Sequence, residues 1–290
     1  MRKHPLSHSL LPMRINDTDL FEPTHERPVR VRARTMVADA HFEPHSHPWA
    51  QLAYCSTGIL QVTAERRSVT SNLTGDIGTA EEITYIVPPS RAVWIAPGAL
   101  HHITVREAAE FRTLYIDASG TPEGWEGCRM LVVSPLLRES IQALDAHTPP
   151  MSPQRERLLC ALVLDELHHA ATQAMGVPMP HAQNGDKRLR ALCEAVLRAP
   201  SDRATLAEWA ADIGASERTV ARLFRDELGL SYQQWRQQAI LAHALPLLAR
   251  GQPISSVAAA SGYASDSAFS AMFKTAMGQP PSAFQNRGQA

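Results

Sequence analysis

Between Val29 and about Val133, apolar and polar residues alternate in short runs broken by Gly and Pro: VRVRARTMVA, QLAYCSTGILQVTAE, ITYIVPP, AVWIAP, HHITV, FRTLYID and MLVVS. Alternation with period two predicts strands, and frequent turns without a helical period predict an all-β barrel or sandwich. The period then changes. Pro135–Ala146 and Pro153–Ala171 read as helices, the second presenting Leu158, Leu162, Leu164 and Leu167 as a broad apolar surface. Such a surface must cover its own barrel or a second subunit. Gln173–Asp186, with its Gly and Pro residues, reads as a linker, and the polar, proline-broken residues 1–28 read as a loosely ordered arm.

From Thr205 onward the pattern is helical and occurs twice. Ala210, Ala211 and Gly214 fall on Ala258, Ala259 and Gly262 at a shift of 48; Ser216, Phe224 and Gly229 fall on Ser265, Phe273 and Gly278 at a shift of 49. The extra residue enters the turn, so one structural unit is duplicated with a slip. Thr205 with Glu208 forms a capping box, Gly214 ends the first helix, and Ser216 caps the second. Val220, Phe224 and Leu228 share one face of that second helix, while Arg218, Arg222 and Arg225 share the other. In the second copy Phe269, Met272, Phe273 and Met277 turn inward and Asp266, Ser267, Ser270 and Lys274 outward. Two plain helical hairpins would explain the apolar stripes but not the repeated capped turn. The plan is helix-turn-helix, whose second helix enters the major groove of DNA.

Residues 187–286, about a third of the chain, resemble the DNA-binding domain of the AraC/XylS family. The run GYASDSAFSAMFKTAMGQPPSAF carries the resemblance. It implies two helix-turn-helix units joined by a long helix, here about 231–249. Alignment on Phe224 and Phe273 then assigns Arg218, Ala221 and Arg222 to one major groove and Asp266, Ser267 and Ser270 to the next. Arg225 and Lys274 fall deeper, toward phosphate. Two departures stand out: Gln285 occupies a place that is basic in the family, and Pro246 interrupts the joining helix.

Net charge refines the picture. The whole chain carries −1, but residues 186–290 hold 12 Lys and Arg against 9 Asp and Glu, whereas residues 1–185 hold 16 against 20. The modest positive excess lies where DNA contact is expected. Four separated cysteines without a C-x-x-C pair, no membrane-length apolar run and no signal-peptide core point to the cytoplasm.

The alternating region contains His45-x-His47-x-x-x-Gln51 followed by Gly58, and Pro97-Gly98-Ala99-Leu100-His101. These resemble the two motifs of the cupin barrel, in which two spaced histidines, an acid and a later histidine meet on one metal. The resemblance implies one divalent transition metal held by His45, His47, Gln51 and His101, with His102 as the other candidate for the last place. Gln51 stands where the family has glutamate. That exchange makes a metal site more positive and better suited to an anionic ligand. Alternatively the domain binds an organic effector, with Trp49, Tyr54, Trp94 and Tyr115 lining its pocket.

The combined expectation is an α+β multidomain chain: arm 1–28, cupin-like barrel 29–133, helical dimerisation segment 134–172, linker 173–186 and an all-α double helix-turn-helix domain 187–286. The expected function is a DNA-binding transcriptional regulator, an activator by resemblance, homodimeric, sensing a small molecule in its barrel. A metal-responsive regulator is the alternative. A cupin metalloenzyme with an appended DNA-binding domain ranks third, because no further catalytic base is evident and Gln51 has lost the acid.

Overall fold

The computed structural model describes residues 21–67, 80–145, 151–173, 176–181, 184–202 and 205–285. Most of the expected arm therefore lies outside the described residues. Nine strands form one sheet: β1 (Val29–Met36), β2 (His41–His45), β3 (Ala50–Arg67), β4 (Ala80–Val87), β5 (Arg91–Ile95), β6 (His101–Ile116), β7 (Cys128–Val132), β8 (Thr172–Gln173) and β9 (Gly176–Met179).

Two long strands organise it. β3 and β6 run antiparallel from Ala50↔Ile116 to Ala64↔His101, with register shifts between Cys55 and Leu60. Bulges of this kind bend a strand and sharpen its twist. Gly58 sits in the bend at φ 77°, and a Cβ there would lie 2.2 Å from the Ala108 carbonyl oxygen. No other residue type fits so close an approach. On one side of the bend, β5 joins β3 and β1 joins β6; on the other, β4 joins β3 and β2 joins β6. The sheet is thus folded into two leaves facing each other.

It does not close. Among the described residues β1 and β2 pair with β6 alone, β8 with β7 alone and β9 with β4 alone, so the ladder has free edges. A closed barrel has none. The expected cupin-like barrel is therefore incorrect, and with it the barrel in the expected fold class. Closure depends on which edge meets which, and the edges here are poorly suited to joining: β8 has two residues, and β9 carries Pro178, which offers no N–H.

Helices α1 (Pro135–Asp145) and α2 (Pro153–His169) cover one leaf. Leu137, Ile141, Cys160, Val163 and Leu167 bury against Leu52, Tyr54, Trp94 and Leu114. Full burial of each such side chain stabilises by about 1.5–3 kcal/mol. The opposite faces of these helices expose Leu136 and Leu158.

The C-terminal part is all helix: α3 (Lys187–Arg198), α4 (Leu206–Asp212), α5 (Glu217–Leu228), α6 (Tyr232–Ala249), α7 (Ile254–Ala260), α8 (Asp266–Met277) and α9 (Pro281–Gln285). α4–α5 and α7–α8 are the two repeated units, each with its own apolar centre, one around Phe224 and Trp235, the other around Phe269 and Phe273. α6 joins them and passes through Pro246 without ending. Gln285 donates its amide to the Gln252 carbonyl, tying α9 to the turn after α6.

The stretch expected as a linker contains β9, which adds to the sheet beside β4, from Tyr85↔Gly176 to Glu82↔Met179. Val177 and Met179 bury with α3 and α6, and the buried Trp235 indole N–H donates to the Pro178 carbonyl at 2.7 Å. Arg190 bridges the same seam, reaching the Pro180 carbonyl at 2.6 Å and Glu82 at 3.1 Å. Arg250 pairs with Glu107 of β6.

Candidate functional site

The two repeated helical units are built by capping and amphipathicity. Thr205 Oγ1 accepts from the Glu208 backbone N–H at 3.2 Å, and the Glu208 carboxylate accepts from the Thr205 N–H at 2.6 Å, which completes the capping box. Ser216 caps α5 by accepting from Thr219 N–H, and Ser265 caps α8 by accepting from Ala268 N–H. With Val220, Phe224 and Leu228 buried, Arg218, Arg222 and Arg225 are exposed and Ala221 is half-buried. With Phe269, Phe273 and Met277 buried, Asp266, Ser267 and Lys274 are exposed and Ser270 is half-buried. Arg225 folds back to donate to the Ala221 carbonyl at 3.2 Å. An open cleft of about 740 Å³ runs between the units, lined by Ala221, Arg225, Gln233, Arg236 and Tyr263.

Inside the folded sheet, His45, His47 and His101 meet. His45 ends β2, His47 follows it, and His101 begins β6 directly opposite His45 in register. One ring nitrogen from each lies within 4.8 Å of those of the others. Ring centroids are 4.3 Å apart for His45 and His101 and 5.2 Å for His47 and His101. The Gly98 N–H donates to the His47 carbonyl at 2.8 Å and holds the loop between β5 and β6 against it.

The ring nitrogens are sorted. Nδ1 of His45 lies 2.8 Å from the Glu43 carbonyl oxygen, Nδ1 of His47 2.7 Å from that of Trp49, and Nδ1 of His101 2.9 Å from that of Ala99. A carbonyl can only accept, so each Nδ1 carries a proton, and on His101, which burial keeps neutral, Nε2 then presents a lone pair. Gln51 Oε1 lies 2.7 Å from His47 Nε2 and 3.2 Å from His101 Nε2. At His101 an acceptor then faces an acceptor. The conflict ends if a cation sits among them, or if the Gln51 amide turns over to offer its NH2 group. Burial drives the His101 pKa down to about 3 and lowers that of His45, which keeps both imidazoles neutral, the form a metal requires. A backbone carbonyl on the far nitrogen is also the usual support of a metal-bound histidine.

The four aromatic residues expected to line one pocket are divided. Trp49 stacks on His47 at 5.5 Å, and Tyr115 meets both at 6.0 Å. The Trp49 indole N–H is buried there without an acceptor. Tyr54 and Trp94 lie on the opposite face of the leaf, beneath α1 and α2. His102 neighbours His101 but is outside the three-histidine group.

Sequence reasoning missed Arg32 and Arg34. Both line a cavity of about 20 Å³ with His45, Gln51, Thr113 and Tyr115. The alternation VRVRAR shows that Arg30, Arg32 and Arg34 share a face with Met36, but not which face.

Comparison with known proteins settles the family. A family model described as "AraC-like ligand binding domain" matches residues 27–230, and one described as "Helix-turn-helix domain" matches residues 209–287. The chain belongs to the AraC family of transcriptional regulators. It is similar to the HTH-type transcriptional regulator NimR of Escherichia coli (strain K12), 34% identical over 249 residues, covering 83% of this chain and 89% of that one. The HTH-type transcriptional regulator RipA of Corynebacterium glutamicum is 34% identical over 98 residues, covering 34% of this chain and 30% of that protein. Among solved structures, ToxT from Vibrio cholerae aligns over 91% of this chain and 100% of that one, at 10% identity and a TM-score of 0.37. As an AraC-family member, the protein is a sequence-specific DNA-binding transcriptional regulator with an effector-sensing domain, and its role is regulatory and not catalytic. Among the described residues no helix is long and apolar enough to cross a membrane.

Proposed function

We propose that this AraC-family regulator reads DNA with α5 and α8 in successive major grooves. The observation that carries this reading is that both helices bury one face completely and expose Arg218, Arg222 and Lys274 on the other. Arg218 and Arg222 bridge guanine O6 and N7, Ala221 packs against a base edge, and Ser267 and Ser270 meet bases of the second site. Asp266 accepts from a cytosine amine or supports the start of α8, and Arg225 and Lys274 contact phosphate. The 18-residue α6 spans about 27 Å, compatible with readers on one face of a duplex whose turns repeat about every 34 Å. Fluorescence anisotropy on the DNA upstream of its own gene tests the assignment. Loss of specific binding in Arg222→Ala and its retention in an Arg106→Ala control, a basic residue of β6 away from the helix-turn-helix units, support it; equal binding by both variants sinks it.

A second element of the reading concerns a metal. His45, His47 and His101 would hold one divalent transition ion through Nε2, with Gln51 as a neutral fourth donor. The convergence of the three histidines, with His45 and His101 kept neutral by burial, supports this. The ion would sense and not catalyse, so metal occupancy would be part of the signal to the DNA-binding units. Elemental analysis of the purified protein and of His47→Ala tests it. Stoichiometric metal lost in the variant supports the site, and absence of metal under replete conditions removes it.

We assign the outer faces of α1 and α2, with exposed Leu136 and Leu158, to a homodimer contact. Light scattering of Leu158→Lys reads the oligomeric state. A DNA target and four cysteines without disulfides fit work in the reducing cytoplasm, and activation is the direction we assign, to be read with a promoter fusion.

A further inference from the structure

We propose that the cavity between β1 and the histidine cluster binds a short-chain carboxylate, held by Arg32 and Arg34. The inference rests on the effector-sensing reading of this domain and names the chemical class of the effector.

One wall of the cavity is made of donors. Arg32 and Arg34 stand two apart on β1 and therefore share a face, about 7 Å from each other along the strand. They pair in register with Thr113 and Phe111 of β6. Arg32 donates to the Tyr115 hydroxyl. Each guanidinium is also steadied by an aromatic ring, Arg32 by Phe21 at 5.0 Å and Arg34 by Phe42 at 5.4 Å. A planar guanidinium offers paired N–H groups that match the two oxygens of a carboxylate.

The other wall is apolar: Phe42, Ile103 and Phe111. A ligand with an anionic head and a small hydrocarbon body satisfies both walls, whereas phosphate or sulfate leaves the second wall without a partner. Size limits the body. A cavity of about 20 Å³ holds roughly one water-sized group as it stands, so even formate or acetate requires the arginines to move, and longer chains require more. His45 and Gln51 line the same cavity and belong to the histidine cluster, so a bound carboxylate would touch that cluster directly.

The test is calorimetric titration of the full chain with sodium formate, acetate and butyrate, with acetamide as the uncharged isostere and phosphate as the inorganic anion. Arg32→Gln, Arg34→Gln and Arg106→Gln are titrated in parallel, each first shown to retain the wild-type unfolding midpoint; Arg32→Lys and Arg34→Lys replace any variant that does not. The expected result is one acetate per chain, at least tenfold weaker binding in Arg32→Gln and Arg34→Gln, no change in Arg106→Gln, and acetamide at least tenfold weaker than acetate. Equal binding of acetate and acetamide, binding that survives loss of either arginine, or binding of phosphate in preference to acetate each overturns the proposal. Upstream-DNA affinity measured with and without acetate separates this from the broader reading. A neutral compound that shifts DNA affinity while acetate fails to bind leaves effector sensing intact and removes the carboxylate. Acetate bound through the arginines without any shift in DNA affinity keeps the site and removes its effector role.

Discussion

Substitution of Gly58 tests the physical basis of the folded sheet, because Gly98 supplies a matched control. Both have left-handed backbones, φ 77° and 76°, so alanine at either carries the same intrinsic penalty, about 1–2 kcal/mol. Their surroundings differ. An added Cβ at Gly98 meets nothing within 4 Å, whereas at Gly58 it meets the Ala108 carbonyl oxygen at 2.2 Å and Ala109 Cα at 2.6 Å. An ordinary C···O contact is about 3.3 Å or more, so β3 and β6 must part by roughly 1 Å at the bend. The atoms in the way are backbone and no rotamer change relieves them. We expect Gly98→Ala to lose about 1–2 kcal/mol and Gly58→Ala more than about 4 kcal/mol, in the range reserved for severe steric faults. Urea unfolding followed by tryptophan fluorescence reads the difference. At a slope of about 1–3 kcal/mol per molar urea, a gap of about 3 kcal/mol separates the midpoints by about 1 M or more. If the two variants unfold within about 0.5 kcal/mol of each other, the close approach of β3 to β6 does not constrain the bend, and the argument fails.

Arg222→Ala should weaken specific DNA binding by about 1–3 kcal/mol and relax discrimination at one base pair, read by anisotropy on a panel of single-base variants. Lys274→Ala should instead weaken binding to every sequence alike and reduce the salt slope by about 1, checked by titration across ionic strength. Zinc at about a hundredfold its dissociation constant should add about 2.7 kcal/mol of stability, visible as a rise in melting temperature that EDTA reverses and His47→Ala abolishes. Trp235→Phe strands the buried Pro178 carbonyl and should lose about 1–3 kcal/mol in urea unfolding; an unchanged midpoint would show that the seam between β9 and α6 does not depend on that bond.

The reading heads were legible from sequence because their chemistry is local. Thr205 with Glu208, Ser216, and the apolar spacing around Phe224 act within a few residues, and the duplication at Ser265 and Phe273 repeats the same instructions. The histidine trio was legible for a related reason: β2 ends and β6 begins on a histidine of the motif, so pairing His45 with His101 is enough to bring the group together. Alternation, by contrast, groups residues by face without saying which face turns inward. That left Arg32 and Arg34 unnoticed, and it grouped Tyr54 and Trp94 with Trp49 and Tyr115, although α1 and α2 claim the first pair. Closure of the sheet was misread because it depends on which edges meet, not on any one strand. The linker's Gly and Pro residues likewise hid β9, whose pairing with β4 is decided by a sheet edge more than ninety residues earlier in the chain. Short-range capping and periodicity therefore determined the helices and their exposed faces. Contacts between residues far apart in sequence, each requiring the folded sheet before it can form, decided the open edges, the inward arginines and the seam that joins sensor to reader.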